Sequence, residues 1–209
     1  MPQWQLRFRL VENRLTKYKY MDLSFLKQPS EIVAPRLLGC QIVRELDGRK
    51  LVAKIVETEA YDQRDAASHS YKGKTTRTEV MFGPSGHLYV YFTYGMHYCM
   101  NIVTGQTGEG SAVLIRALEP LRGLDAMVAN RHGKSGVEVT NGPAKLCQAL
   151  QIDKKWNGHN LQTTPLQLVP QPALKPAEIV RATRIGISQA KEVPWRFYVR
   201  GNSYVSHSV

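Results

Sequence analysis

Two glutamates stand at alternate positions in Val56-Glu57-Thr58-Glu59-Ala60-Tyr61, and a strand with its period of two puts Glu57, Glu59 and Tyr61 on one face. A carboxylate held beside a water can act as a general base, and aromatic neighbours that exclude solvent tune it for that work. An exposed strand with two acids is the plainer alternative. His69 follows in Ala66-Ala67-Ser68-His69-Ser70, where small neighbours leave room for a ligand to approach; a solvated loop histidine reads the same way. Tyr89, Tyr91, Tyr94 and Tyr98 crowd one segment, with Tyr89 and Tyr91 in phase. Core packing explains rings within strands, but a ring at an exposed hairpin tip, where Tyr94 is expected, suits a protein that must fill the gap left in a base stack. Arg116 interrupts the apolar run 113–118 and needs a carboxylate or phosphate partner. Asn101 brings an amide that can position water or discriminate ring substituents, or simply hold the backbone.

The elements that must position these groups follow from pattern. Residues 22–38 carry helical apolar spacing, with Ser30 as a candidate N-cap and Gly39 as terminator. Residues 41–45 and 51–61 read as strands joined by the Asp47-Gly48 turn, so the two glutamates fall at a strand end. Residues 61–80 form a long polar loop, and loops of that length usually carry function. Residues 88–92 and 98–103 make a second hairpin with 93–97 at its tip. A buried strand over 112–118, a helix over 120–131 ended by Gly133, and a short helix opened by Pro143 come next. A proline-rich connection over 165–176 and late strands over 179–187 and 195–199 complete the chain, with Gly201-Asn202 as a turn. Strands and helices alternate without a βαβ rhythm, which predicts an α+β domain built on a curved, largely antiparallel sheet.

Lys and Arg outnumber Asp and Glu 28 to 17 in 209 residues, a formal net charge of +11, which suits a phosphate backbone better than small acidic metabolites. Residues 21–209 read as one domain. Residues 1–20 read as a basic extension, either a poorly ordered terminus or an arm that touches DNA. The three cysteines are odd in number, widely spaced and without a C-x-x-C pair, so neither a disulfide framework nor a metal cluster is indicated, and a reducing cytosol fits. His97 and Cys99 share a face but lack a third ligand. No apolar run is long enough to span a bilayer, and the first residues lack the apolar stretch of an export signal. No metal, no cofactor and no membrane partner are expected.

In order along the chain, Ile55-Val56-Glu57-Thr58-Glu59-Ala60-Tyr61, Ala67-Ser68-His69-Ser70, Leu88-Tyr89-Val90-Tyr91 with Tyr94-Gly95-Met96, Met100-Asn101-Ile102, Leu114 to Pro120, Asn141 to Leu146 and Arg196 to Gly201 resemble the alkyladenine DNA glycosylases, the mammalian type of 3-methyladenine DNA glycosylase. The likeness covers residues 34–206. It implies a single α+β domain whose protruding hairpin enters the DNA minor groove, with Tyr94 in the vacated stack and Met96 beside it as a DNA contact. It implies Glu59 as the general base, Glu57 as structural, and Arg116 as orienting the water and a backbone phosphate. Tyr61 and His69 would flank one side of a flipped purine and Tyr91 the other; a main-chain N–H near Ala67 would donate to the leaving base, and Asn101 would crowd the 2-amino group of normal guanine. The resemblance further implies a monofunctional enzyme without lyase activity, a monomer acting on duplex DNA with alkylated or deaminated purines (3-methyladenine, 7-methylguanine, hypoxanthine, ethenoadenine), placed in the cytoplasm at a bacterial nucleoid or in a nucleus. Between Tyr61 and His69 the chain is about one residue shorter than in the mammalian members, which bears on where His69 sits. Two rival readings are a module that grips distorted DNA without chemistry and an RNA-processing protein, since basic charge with exposed tyrosines also suits single strands.

Overall fold

The computed structural model describes residues 22–93 and 95–206, so the expectations for the basic extension and for Tyr94 lie outside the described residues. Strands β1 (Gln41–Leu46) and β2 (Arg49–Asp62) meet at Asp47-Gly48, whose φ values of 48° and 72° are those of a type I′ turn, the form that matches strand twist. The chain continues through β3 (Leu88–Thr93), β4 (His97–Val103), β5 (Ser111–Arg122), β6 (Leu166–Val169), β7 (Ile179–Ala182) and β8 (Arg196–Val199). Helices α1 (Ser30–Leu37), α2 (Leu124–Asn130) and α3 (Pro143–Ala149) pack around them. All pairings are antiparallel, and the sheet runs β3-β4-β5-β2-β1-β6. The long strand β2 lies at its centre: one edge pairs with β5, while the other pairs first with β1 up to Lys54 and then with β8 at Glu57 to Glu59, which brings β7 along. The domain is α+β, as the sequence predicts.

Four expectations need correction. Ser30 is the first helical residue and not the N-cap; Pro29, with φ near −54°, provides the entry, and the buried Ser30 hydroxyl has no partner. Strand β5 runs on to Arg122, and the helix after it begins only at Leu124. Pro120 is tolerated there because β4 pairs with β5 only as far as Leu114, which leaves one side of the strand free of ladder bonds. The proline-rich connection contains β6, which borders β1, and the strand expected over 179–187 stops at Ala182.

Residue parity shows how the sheet turns one face to a core and the other to a site. Leu88 and Val90 of β3, Met100 and Ile102 of β4, and Val113 and Ile115 of β5 join the main core with α1 and α3. Tyr89, Val103 and Ala112 face the opposite way and form a smaller cluster with Met81. In β2, Ala53 and Ile55 belong to the main core, so strict alternation would send Glu57 and Glu59 into it as well. Two adjacent register breaks lie here, and the one in β2 prevents this. Ile55 pairs with Leu118 but Glu57 with Ala117, so Val56 is an extra residue in β2; Glu57 pairs with Ala117 but Thr58 with Ile115, so Arg116 is an extra residue in β5. Beyond the first bulge Thr58 and Ala60 take over the core side, Thr58 donating its hydroxyl to the Ala34 carbonyl of α1 at 3.0 Å. Glu57, Glu59 and Tyr61 are turned to the other face, as bulges beside functional sites commonly re-aim side chains.

Candidate active site

The bulges place two buried carboxylates around one guanidinium. Glu57 Oε1 accepts from Arg116 Nε at 3.1 Å, Arg196 Nε at 2.7 Å and Ser206 Oγ at 2.9 Å, while Oε2 accepts from the Ser206 amide at 2.7 Å. Glu57, without solvent exposure, thereby ties β2 to β5, β8 and the C-terminal segment. Glu59 is engaged differently: Oε2 accepts from the Tyr61 hydroxyl at 2.8 Å, Oε1 accepts from the Ile185 amide at 2.7 Å, and Arg116 Nη1 lies 3.3 Å from Oε1. Burial opposes the Arg116 cation, but the Glu59 and Glu57 carboxylates outweigh it and hold the guanidinium above its ordinary pKa. Desolvation first, then Glu59, raises the Tyr61 phenol, so Tyr61 stays a hydrogen-bond donor to that carboxylate.

Above this layer opens a cavity of about 480 Å³, whose walls include Tyr61, Ala67, His69, Tyr91, Asn101 and Arg116. Six of the eight described residues assigned to the site from sequence therefore line one space, and Met96 at the hairpin tip does not. Glu59 does not line it either: it has no exposed surface and lies behind the floor formed by Tyr61 and Arg116. His69 Nδ1 lies 3.0 Å from the Tyr89 hydroxyl, and its ring meets Tyr91 edge-on at 4.6 Å, so the two rings touch. Tyr89 and Tyr91 stack at 5.6 Å, as their shared parity predicts. Asn101 donates from Nδ2 to the Tyr89 carbonyl at 3.1 Å, which fixes the plane of its amide at the cavity wall. The Ala67 amide donates to Asp65 Oδ1 at 3.1 Å and is thus engaged within its own turn. At the hairpin tip Met96 is 69% exposed, and Phe92 beside it is also exposed. The three cysteines are buried and free, and among the described residues no cluster of three metal-ligating side chains occurs. No helix among them is long and apolar enough to cross a membrane.

The loop that carries His69 is pinned to the sheet at Gly110. The Ser70 hydroxyl donates to the Gly110 carbonyl at 2.7 Å, and the Gly110 amide donates to Gln63 Oε1 at 2.8 Å. A Cβ at Gly110 would stand 2.6 Å from Phe82 Cζ and 2.7 Å from Ser70 Cβ, so only glycine permits this approach.

Desolvation, then the Arg77 cation whose Nη2 lies 3.4 Å from Nε2, pushes the His69 pKa down to about 4. Protonation therefore favours the unfolded chain. The stability this imposes is complete above the ordinary value of 6.5 and is lost as pH falls from there toward 4. NMR titration of the imidazole should give a midpoint near 4, and His69→Gln should flatten stability against pH over that interval; a midpoint at or above 6.5 would show that the ring is not desolvated in this way.

Sequence reasoning missed Arg196, Ser206 and the 185–189 wall. Arg196 was visible as part of a strand and of a segment that carries the resemblance, but without a partner, and Ser206 gives no signal of a contact 149 positions away. Ile185 was expected inside a strand, where an amide bond to a carboxylate has no signature.

An α+β domain with a buried acid–arginine layer under an aromatic cavity defines a ligand-enclosing enzyme class more readily than a flat binding module. The match to known proteins is specific. The family model for methylpurine-DNA glycosylase (MPG) matches residues 24–203. A protein of Carboxydothermus hydrogenoformans named "Putative 3-methyladenine DNA glycosylase" is 56% identical over 176 residues, covering 84% of this chain and 92% of that one. Proteins of the same name from Methanoculleus marisnigri and Francisella tularensis are each 47% identical, over 89% and 83% of this chain and 98% and 91% of theirs. The chain belongs to the methylpurine-DNA glycosylase family, whose members are DNA repair hydrolases of N-glycosyl bonds.

Proposed function

We propose that the protein excises alkylated or deaminated purines, among them 3-methyladenine, 7-methylguanine, hypoxanthine and ethenoadenine, from duplex DNA by hydrolysis, as a monomer. The observation that carries this reading is the position of Glu59, held by Tyr61, Ile185 and Arg116 directly behind an aromatic cavity open to the surface. A purine cannot be reached inside a duplex, so the nucleotide must rotate out, at a cost of a few kcal/mol; stacking returns roughly 1–3 kcal/mol per base. The purine would lie between Tyr61 and Tyr91, with His69 turning from its edge contact to cover it. A neutral His69 suits this, because N-methylated purines are cationic and an imidazolium would repel them. Tyr94 would fill the vacated stack and Met96 would support it from the minor groove.

Glu59 would accept the proton of a water that enters beside Arg116 and takes the place of the Tyr61 hydroxyl on Oε2, and the water oxygen would bond to C1′ as the glycosidic bond breaks and its electron pair leaves with the purine. Cationic methylpurines depart as neutral bases; hypoxanthine and ethenoadenine need a donor. The Ala67 amide is already engaged by Asp65, so that donor would be shared with it or supplied by another amide of the same turn. The Asn101 amide, fixed by Tyr89, would clash with the 2-amino group of guanine.

Attack by water predicts a defined product. Incubation with duplexes carrying one hypoxanthine or 7-methylguanine should release the free base and leave an abasic strand that breaks only on alkali treatment, with no covalent complex trapped by borohydride. Failure to release any base, or a trapped complex, would overturn the hydrolytic reading.

A further inference from the structure

The buried pair Asp65–Arg184 has no part in the hydrolytic step as described, yet it borders both Tyr61 and the turn that carries Ala67. Arg184 and Asp65 side chains are 0% and 3% exposed. The Arg184 guanidinium pairs with both Asp65 oxygens and donates to the Ala60 carbonyl at 2.9 Å, between the catalytic carboxylate and Tyr61 in β2. Its Cζ lies 4.8 Å from the centre of the Tyr61 ring, whose hydroxyl holds Glu59 Oε2. The next residue, Ile185, supplies the amide that holds Glu59 Oε1. Both uncharged donors to Glu59 therefore depend on Arg184, one through the ring it supports and one through the adjoining peptide. From the other end, Asp65 shapes the opposite wall: its Oδ1 accepts the Ala67 amide and its carbonyl accepts the Ser68 amide at 2.9 Å, just before His69.

Stability alone is a poor reason for this arrangement. A buried ion pair commonly gains nothing over apolar residues of similar volume, and here the Arg184 Nε is buried with no hydrogen-bond partner. We infer that Asp65 and Arg184 are positioning residues that lock the base-covering turn at 66–69 and the Glu59 donors into one geometry, so that the carboxylate is aligned when the purine is enclosed. The inference rests on the hydrolytic reading of Glu59.

The test compares wild type with the double variant Asp65→Leu/Arg184→Met, which removes both charges and keeps the space filled, and with Arg184→Lys, which keeps the buried charge but not the planar fork. Single-turnover release of hypoxanthine from duplex DNA should fall about 100-fold in both, the cost of misplacing a reacting group by about 1 Å, while affinity for the same duplex stays within about threefold. Thermal unfolding shows which variants are folded at the assay temperature, and Arg184→Lys decides the matter if the double variant is not. A folded variant that releases hypoxanthine at the wild-type rate, or loses release only in proportion to binding, would overturn the inference. Wild type that releases no base would instead overturn the hydrolytic reading.

Discussion

Replacing Arg116 with methionine should destabilise the fold by about 3–5 kcal/mol, because it leaves the buried Glu59 carboxylate without its cation and takes one of two cations from Glu57. Arg116 enters β5 as the extra residue of a bulge, on the face opposite Val113 and Ile115, and lines the cavity. Glu57 would keep Arg196 and Ser206, but Glu59 would retain only the Tyr61 hydroxyl and the Ile185 amide. Adding Glu59→Gln to the Arg116→Met chain removes the stranded charge while Glu57 keeps its Arg196 partner, and should recover part of the loss. Urea denaturation measures both effects. An Arg116→Met protein within about 0.5 kcal/mol of wild type, the range of ordinary surface substitutions, would show that the pairs are not the buried network described. Base release should fall with the same substitution, since Arg116 also lines the cavity and contacts Glu59.

Much of this site was legible because strand parity is a strong code. Glu57, Glu59 and Tyr61 could be put on one face, Tyr89 and Tyr91 on another shared face, and the Asp47-Gly48 turn located, from the sequence alone. What parity could not show is that β2 changes its core side midway. Ala53 and Ile55 point into the main core and Glu57 does not, and the bulge responsible arises from pairing with β5, a partner about 60 positions away in sequence. The same limit hid the partners of Glu57: Arg196 and Ser206 reach it from strands and turns whose local patterns carry no mark of a carboxylate. Length estimates failed where tertiary context overrides local chemistry, as at Pro120, which ends most strands but sits in β5 beyond the reach of β4. Ser30 shows the reverse case, a good capping residue displaced because Pro29 already sets the helix entry.

The central claim is that Glu59 acts as the base that activates water. Tyr61, Ile185 and Arg116 fix both of its oxygens, and Glu59→Gln keeps the shape of the group while removing its ability to take a proton. The glutamine oxygen can still accept one of the two neutral donors, so the cavity should survive and damaged duplex should still bind. Loss of a general base costs about 100- to 10,000-fold in rate. Single-turnover release of hypoxanthine and 7-methylguanine, with the enzyme in excess and binding measured on the same duplexes, should show that loss at unchanged affinity. Release from the Glu59→Gln protein at the wild-type rate would contradict the account.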